Sequence, residues 1–172
     1  AVPLYAGRLE AGQPAPVVPF VIPAGTTGGL LEYRTSGHGQ GTQGADCIGP
    51  AEEFCSRRHQ ILIDGVEVQD INPIRVDCDT LCTLTHYGPP DGPPDDGFDY
   101  CLENPGGLPE SVRAPRANWC PGSMTPPFSW SDIPALATPG PHTASFRISQ
   151  IEAGGNWLAS ATYYAYGTRP AL

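Results

Sequence analysis

Long apolar runs are missing from this sequence, and positive charge is scarce. No stretch approaches the roughly 18 apolar residues of a membrane-spanning helix. The N-terminus has no charged segment leading into an apolar run, so any export signal is expected to have been removed or to lie outside these residues. Nine basic side chains against 18 acidic ones give a formal charge of −9. A surface that tracks phosphates needs clustered Lys and Arg, so neither nucleic acid nor an anionic membrane is an expected partner. Before residue 160 there is no sustained 3.6-residue apolar period, which argues against a helical architecture. Paired metal-ligand motifs are lacking as well. Cys78 and Cys82 make one CxxxC with no second pair to complete a tetrahedral zinc site, and no run of acids follows the spacing of an EF-hand. No metal or cofactor is expected.

Turn formers and cysteines are plentiful. The 172 residues include 21 glycines, 21 prolines and six cysteines, with 40% hydrophobic side chains spread along the whole chain. That hydrophobic content argues against disorder, and the length suits one domain that buries roughly two-thirds of the surface its unfolded form exposes. An even number of cysteines in a loop-rich acidic chain points to disulfides and an oxidising compartment: secreted, periplasmic or at the cell surface. Six cysteines allow about 15 pairings.

Short alternating runs bounded by Gly and Pro are the pattern of an antiparallel sandwich or barrel. PVVPFVIP at 16–23 reads as a strand interrupted by proline and therefore at a sheet edge, because proline gives the ladder no N–H. GLLEYRTS at 29–36 is a cleaner strand that runs into a glycine-rich loop. In HQILIDGVEVQ, Asp64-Gly65 between β-branched runs predicts a two-residue type I′ hairpin, with His59, Ile61 and Ile63 on one face. HTASFRISQI and NWLASATYYAYG are expected to pair with each other as a long hairpin across Gly154-Gly155. The stretch GPPDGPPDDGFDYCLENPGG is expected to be a surface loop, with Asp91, Asp95, Asp96 and Asp99 solvated rather than holding calcium.

Three segments hold nearly all the unusual polar residues: TSGHGQG at 35–41, AEEFCSRRH at 51–59 and RANWCPG at 116–122. All fall on strand ends or loops, and the cysteines tie two of them to the same end of a sheet. A carboxylate, an arginine fork, a histidine and aromatic faces suit a polar ligand with an apolar face, such as a sugar. Each residue also has a plainer reading. Glu52 and Glu53 beside Arg57 and Arg58 fit exposed ion pairs, His38 and His59 fit structural hydrogen bonding, Trp119 fits a cover for a disulfide, and Arg116 fits a solvated loop residue.

Taken in order, SGHG, then C…EEFCSRRHQI, then Cys78, then RANWCPG, the chain resembles the second domain of peptide-N-glycosidase F, a family that removes N-linked glycans from asparagine. The resemblance covers most of the chain and implies a jelly-roll β-sandwich of about eight antiparallel strands. It makes Glu53 the active-site carboxylate, with His38, Phe54, His59, Arg116 and Trp119 as glycan-contacting residues, and it pairs Cys47 with Cys55 and Cys78 with Cys120, which leaves Cys82 for Cys101. The loop between Cys47 and Cys55 is four residues longer than the family's, so Glu52 is an alternative occupant of the site. If Glu53 holds the role, Glu52 is expected to face solvent. His38 is one position off the family histidine, and Phe54 stands where the family has a tryptophan. The resemblance implies an N-glycan or glycoprotein as ligand and, as partner, a preceding jelly-roll domain that supplies an essential aspartate and is expected to be absent from these residues. On that basis the domain alone is expected to be inactive. The rival readings are a non-catalytic glycan- or protein-binding module and a copper oxygenase of the same fold. Copper would call for two histidine sites or a His-x-His pair with methionine, whereas Met124 is the only methionine and no His-x-His occurs.

Overall fold

The computed structural model describes residues 1–40, 44–89 and 96–167. The strands described are β1 (Val2–Glu10), β2 (Val17–Ile22), β3 (Thr26–His38), β4 (His59–Ile63), β5 (Val66–Ile71), β6 (Ile74–Arg75), β7 (Leu84–Tyr87), β8 (Phe98–Cys101), β9 (Arg116–Ala117), β10 (Phe128–Ser131), β11 (Gly140–Ile148) and β12 (Asn156–Gly167), with one short helix, α1 (Pro109–Arg113). Two four-stranded antiparallel sheets, ordered β1-β12-β3-β10 and β2-β11-β4-β5, face each other as a jelly-roll sandwich, and β6–β9 and β7–β8 form two small ribbons. Successive strands keep crossing between the two sheets, so the inward face of every long strand meets one common core.

That core is the sum of the alternations. Leu31 and Tyr33 of β3, Trp157, Ala159, Ala161 and Tyr163 of β12, Ile61 and Ile63 of β4, and Ala144 and Phe146 of β11 are all buried. Tyr33 and Phe146 stack across the sandwich with ring centroids 6.0 Å apart. Each such large side chain contributes about 1.5–3 kcal/mol on burial. The hairpin forms at Asp64-Gly65, whose φ values of 51° and 78° are those of a type I′ turn. The proline-bearing β2 lies at an edge, as its sequence predicts.

Two expectations are corrected. β11 and β12 do not pair: β11 lies between β2 and β4, whereas β12 lies between β1 and β3 in the other sheet. Alternation fixes which face of a strand is buried, not which strand lies beside it. With Ala144 and Phe146 on one strand and Trp157 to Tyr163 on the other, the two apolar faces meet across the core instead of side by side. Second, part of the expected loop is a strand, because Phe98–Cys101 pairs with Leu84–Tyr87 once the Pro-Gly pairs end. Within that ribbon Asp99 binds His86 Nδ1 at 2.8 Å. Asp91 and Asp95, read as solvated, lie outside the described residues.

Three disulfides, Cys47–Cys55, Cys78–Cys120 and Cys82–Cys101, tie the long connections down and leave no free cysteine. This is the pairing the resemblance implies, and it fits an extracellular or otherwise oxidising compartment. Among the described residues no helix is long and apolar enough to cross a membrane.

Candidate functional site

The tied loop Cys47–Cys55 docks on the end of β3. Gln40 bridges to Ala51, and Glu52 N–H donates to Gly39 O at 3.1 Å. The loop ends in a single 3-10 turn, Glu52–Phe54, closed by Cys55 N–H donating to Glu52 O. On its other side the backbone of Gly39 and Gln40 lies flush against Gly154-Gly155. A Cβ on Gly39 would stand 2.5 Å from Gly154 O, and one on Gly155 would stand 2.8 Å from Glu52 Cβ.

The third segment arrives from β9. Asn118, at φ 61°, is left-handed, a conformation asparagine adopts more readily than most residues. The reversal lets Arg116 and Trp119 come to the same side. Asn118 Nδ2 donates to Thr35 O at 2.9 Å and Pro126 O at 3.2 Å, Trp119 Nε1 donates to Gly37 O at 3.0 Å, and Cys120 is bonded to Cys78. The RANWCPG segment is thereby fastened to the strand that ends in His38.

Arg116 is the centre of the assembly. Its guanidinium carbon lies 4.6 Å from the ring centroids of both Phe54 and Trp119, so the cation is held between two aromatic faces. Nη2 donates to Ser111 O at 2.7 Å and to Ser111 Oγ at 3.0 Å, and Nη1 stands 2.7 Å from Glu53 Oε1. That last contact brings the charges together without the alignment of a hydrogen bond. Nε and Nη1, although buried, have no hydrogen-bond partner among the described residues. Arg116 is 4% exposed and Glu53 25% exposed. Neither nitrogen is open to solvent, so Arg116 is a buried cation whose charge is met by Glu53 at the partly exposed rim. His38 completes the rim, 5.4 Å from the Trp119 ring, with Nε2 2.8 Å from Ser36 Oγ. Burial lowers its pKa and the charge of Glu53 acts against that.

Two residues do not reach this surface. Glu52, expected to face solvent if Glu53 holds the site and otherwise to replace it there, is 1% exposed. Oε1 accepts from Arg57 Nε and Trp157 Nε1, each at 2.8 Å, and Oε2 accepts from Arg57 Nη2 at 3.1 Å and Glu152 N at 3.2 Å. The expectation of solvent assumed an extended segment. In a 3-10 turn neighbouring side chains diverge by about 120°, and here the inward direction leads to a cation and an indole. His59, expected to contact ligand, is a core residue: 1% exposed, with Nδ1 2.9 Å from Tyr33 OH and its ring 4.3 Å from Trp157. Burial lowers its pKa to about 3. Of the two arginines, Arg57 is buried with Glu52, while Arg58 pairs with Asp70 at the surface.

Sequence reasoning did not single out Ser111, Asn118 or Trp157. An asparagine between two candidate ligand residues is a signal for a left-handed turn. Nothing in the sequence marks Ser111. Among the described residues no group of three or more His, Cys, Asp or Glu is placed to hold a metal.

Fold and site together define a disulfide-bonded jelly-roll domain that presents an arginine, clamped between aromatic rings, beside a carboxylate. The chain belongs to the family of the peptide-N-glycosidase F C-terminal domain, whose model matches residues 7–166. Among solved structures it is similar to a peptide-N(4)-(N-acetyl-β-D-glucosaminyl)asparagine amidase (16% identity, TM-score 0.63, 99% of this chain and 53% of that one). It is also similar to PNGase F, a glycosylasparaginase from Flavobacterium meningosepticum (16% identity, TM-score 0.60, 97% and 51%), and to PNGF-II (24% identity, TM-score 0.59, 92% and 28%). These likenesses speak to the fold. The chain spans about a quarter to a half of the length of these proteins. No curated protein sequence matches it.

Proposed function

We propose that this domain is the glycan-recognising half of an amidase that hydrolyses the bond between asparagine and an N-linked glycan, and that Glu53 is the carboxylate it contributes. The observation that carries this reading is the constellation around Arg116, a buried cation clamped between Phe54 and Trp119 that holds Glu53 at a partly exposed rim. A glycosylated asparagine offers sugar faces to Trp119 and Phe54 and sets its amide beside Glu53, with the Arg116 charge close behind the carboxylate. His38 supplies a further polar contact at the rim. A water held between Glu53 and a second carboxylate attacks the amide carbonyl; the C–N bond breaks, the nitrogen takes the proton, and aspartate and a glycosylamine leave. The second carboxylate comes from a preceding jelly-roll domain, which also excludes water. The twofold greater length of the similar amidase is compatible with such a domain.

A second reading is a binding module without catalysis, favoured by the closeness of Arg116 to Glu53, which holds the carboxylate as an ion-pair partner instead of a free base. One set of measurements separates the two: glycan release from, and binding to, a glycopeptide by the full-length protein, by these 172 residues alone, and by full-length Glu53→Gln and Arg116→Lys. The amidase reading expects release by the full-length protein alone, a loss of about a hundredfold or more in Glu53→Gln with the native circular dichroism spectrum retained, and weakened binding in Arg116→Lys, which cannot keep the planar stack. Release by the isolated domain, or full activity in Glu53→Gln, refutes it. Binding by the full-length protein without release favours the module.

A further inference from the structure

The turn that carries Glu53 is fastened from two sides. Above, backbone hydrogen bonds and the Cys47–Cys55 bridge fix where the loop closes, but a bridge at the ends of a loop does not set how a turn inside it is rotated. Below, the Glu52 carboxylate takes four donors from three segments: Nε and Nη2 of Arg57, Nε1 of Trp157 at the start of β12, and the backbone N–H of Glu152. A carboxylate has about four acceptor sites, so this one is saturated. Arg57 is 1% exposed and its other carboxylate contact, Glu152 Oε1, is at 3.7 Å. If Glu52 left, a buried cation would lose its main partner, which is among the costlier events in a protein interior. Gly155 admits the carboxylate by having no side chain; a Cβ there would stand 2.9 Å from Glu52 Oε2.

We propose that Glu52 is a positioning residue: its buried contact with Arg57 and Trp157 sets the rotation of the turn, so that Glu53 meets Arg116 at the open face. The catalytic part of this inference rests on the role given to Glu53 above; the structural part does not. The extra carboxylate in EEFC then complements the one that meets the ligand, and the longer loop stays in register because its inner side is pinned to the core.

His38 reports on the place of Glu53 without any ligand, since Glu53 is the charged group that raises its pKa against the lowering by burial. The test is an NMR titration of His38 in the wild type, Glu52→Gln, Glu53→Gln and the double variant, together with kcat and KM for a glycopeptide in the full-length protein. Arg57→Lys is the second single variant; it keeps the buried charge but loses the fork, and so guards against a Glu52→Gln chain that does not fold. Expected are a downward shift of His38 in Glu52→Gln matching that in Glu53→Gln, no further shift in the double variant, and a smaller shift of the same sign in Arg57→Lys. In the enzyme, kcat falls by up to about a hundredfold in Glu52→Gln with KM little changed, and the double variant loses no more than Glu53→Gln alone. A merely structural role predicts additive losses. An unmoved His38 in both Glu52→Gln and Arg57→Lys, or additive losses in the double variant, overturns the proposal. If His38 moves as expected but no variant alters glycopeptide turnover, the positioning stands and the role given to Glu53 falls.

Discussion

Replacing Asn118 by glycine and by alanine separates what its side chain holds from what its backbone requires. The residue is 2% exposed at φ 61°, and its amide reaches the carbonyls of Thr35 and Pro126. Either substitution removes both hydrogen bonds, at about 1 kcal/mol each, so Asn118→Gly is expected to cost about 2 kcal/mol. Alanine loses the same bonds and must also hold a left-handed conformation that costs an L-residue about 1–2 kcal/mol, part of which asparagine already bears. Asn118→Ala is therefore expected to cost about 3 kcal/mol, roughly 1 more than glycine. At about 2–4 °C per kcal/mol for a domain of this size, the melting points fall by about 4–8 °C and 6–12 °C. Urea unfolding followed by far-UV circular dichroism gives the free energies, and tryptophan fluorescence reports whether Trp119 leaves Arg116. Equal losses in the two variants, or a larger loss for glycine, would refute the argument, because the left-handed backbone would then carry no cost for a side chain.

Removing the Cys78–Cys120 bridge by a double change to alanine frees a 42-residue separation and is expected to cost about 4 kcal/mol on the chain-entropy model; chemical denaturation of the variant checks the figure, and peptide mapping without reduction checks the pairing itself. His59 makes the fold acid-sensitive. Its pKa of about 3 in the folded chain lies below the usual 6.5, so as pH falls from 6.5 towards 3 the unfolded chain takes up a proton that the folded chain refuses, and stability is lost across that window. His59→Gln is expected to flatten that limb of the stability–pH curve measured by urea unfolding, and an unchanged limb would place the acid sensitivity elsewhere.

Local chemistry in the sequence was a good guide to strands and turns. Asp64-Gly65 needs positive φ twice and has it, and a strand with Pro19 in it cannot sit in the middle of a sheet. It was a poorer guide to neighbours: the alternation of β11 and β12 says only that both bury one face, and that is satisfied across a core as well as along a ladder. At the candidate site, the residue types marked three segments and the family resemblance put Glu53, Phe54, Arg116, Trp119 and His38 together. They do meet at one end of the sandwich, although the expected cysteine ties between segments are not there, since one bridge closes within the Cys47–Cys55 loop and another joins Cys120 to Cys78. Glu52 was misread because the conformation of the turn, which decides where the first of two adjacent carboxylates points, leaves no trace in a disulfide loop of this composition. His59 is the instructive case. Its alternation with Ile61 and Ile63 already put it on the inward face, and the period of the strand was a better witness than a matching motif.

The contact of Gly39 and Gln40 with Gly154-Gly155 has a consequence for how such a surface can diverge. At that seam backbone lies against backbone, so a Cβ at Gly39 or Gly155 collides with carbonyl or carboxylate atoms that cannot retreat. Replacement by any other residue at the floor is thus a structural lesion before it is a change of ligand preference. The disulfide loop is held to this floor from Ala51 onward, by the Gln40–Ala51 bridge and the Glu52 N–H, whereas Ile48 and Pro50 ahead of that contact are exposed. Variation in what the rim touches is therefore accessible by insertion and deletion between Cys47 and Ala51, a route in which the chain gains or loses reach while its floor stays frozen.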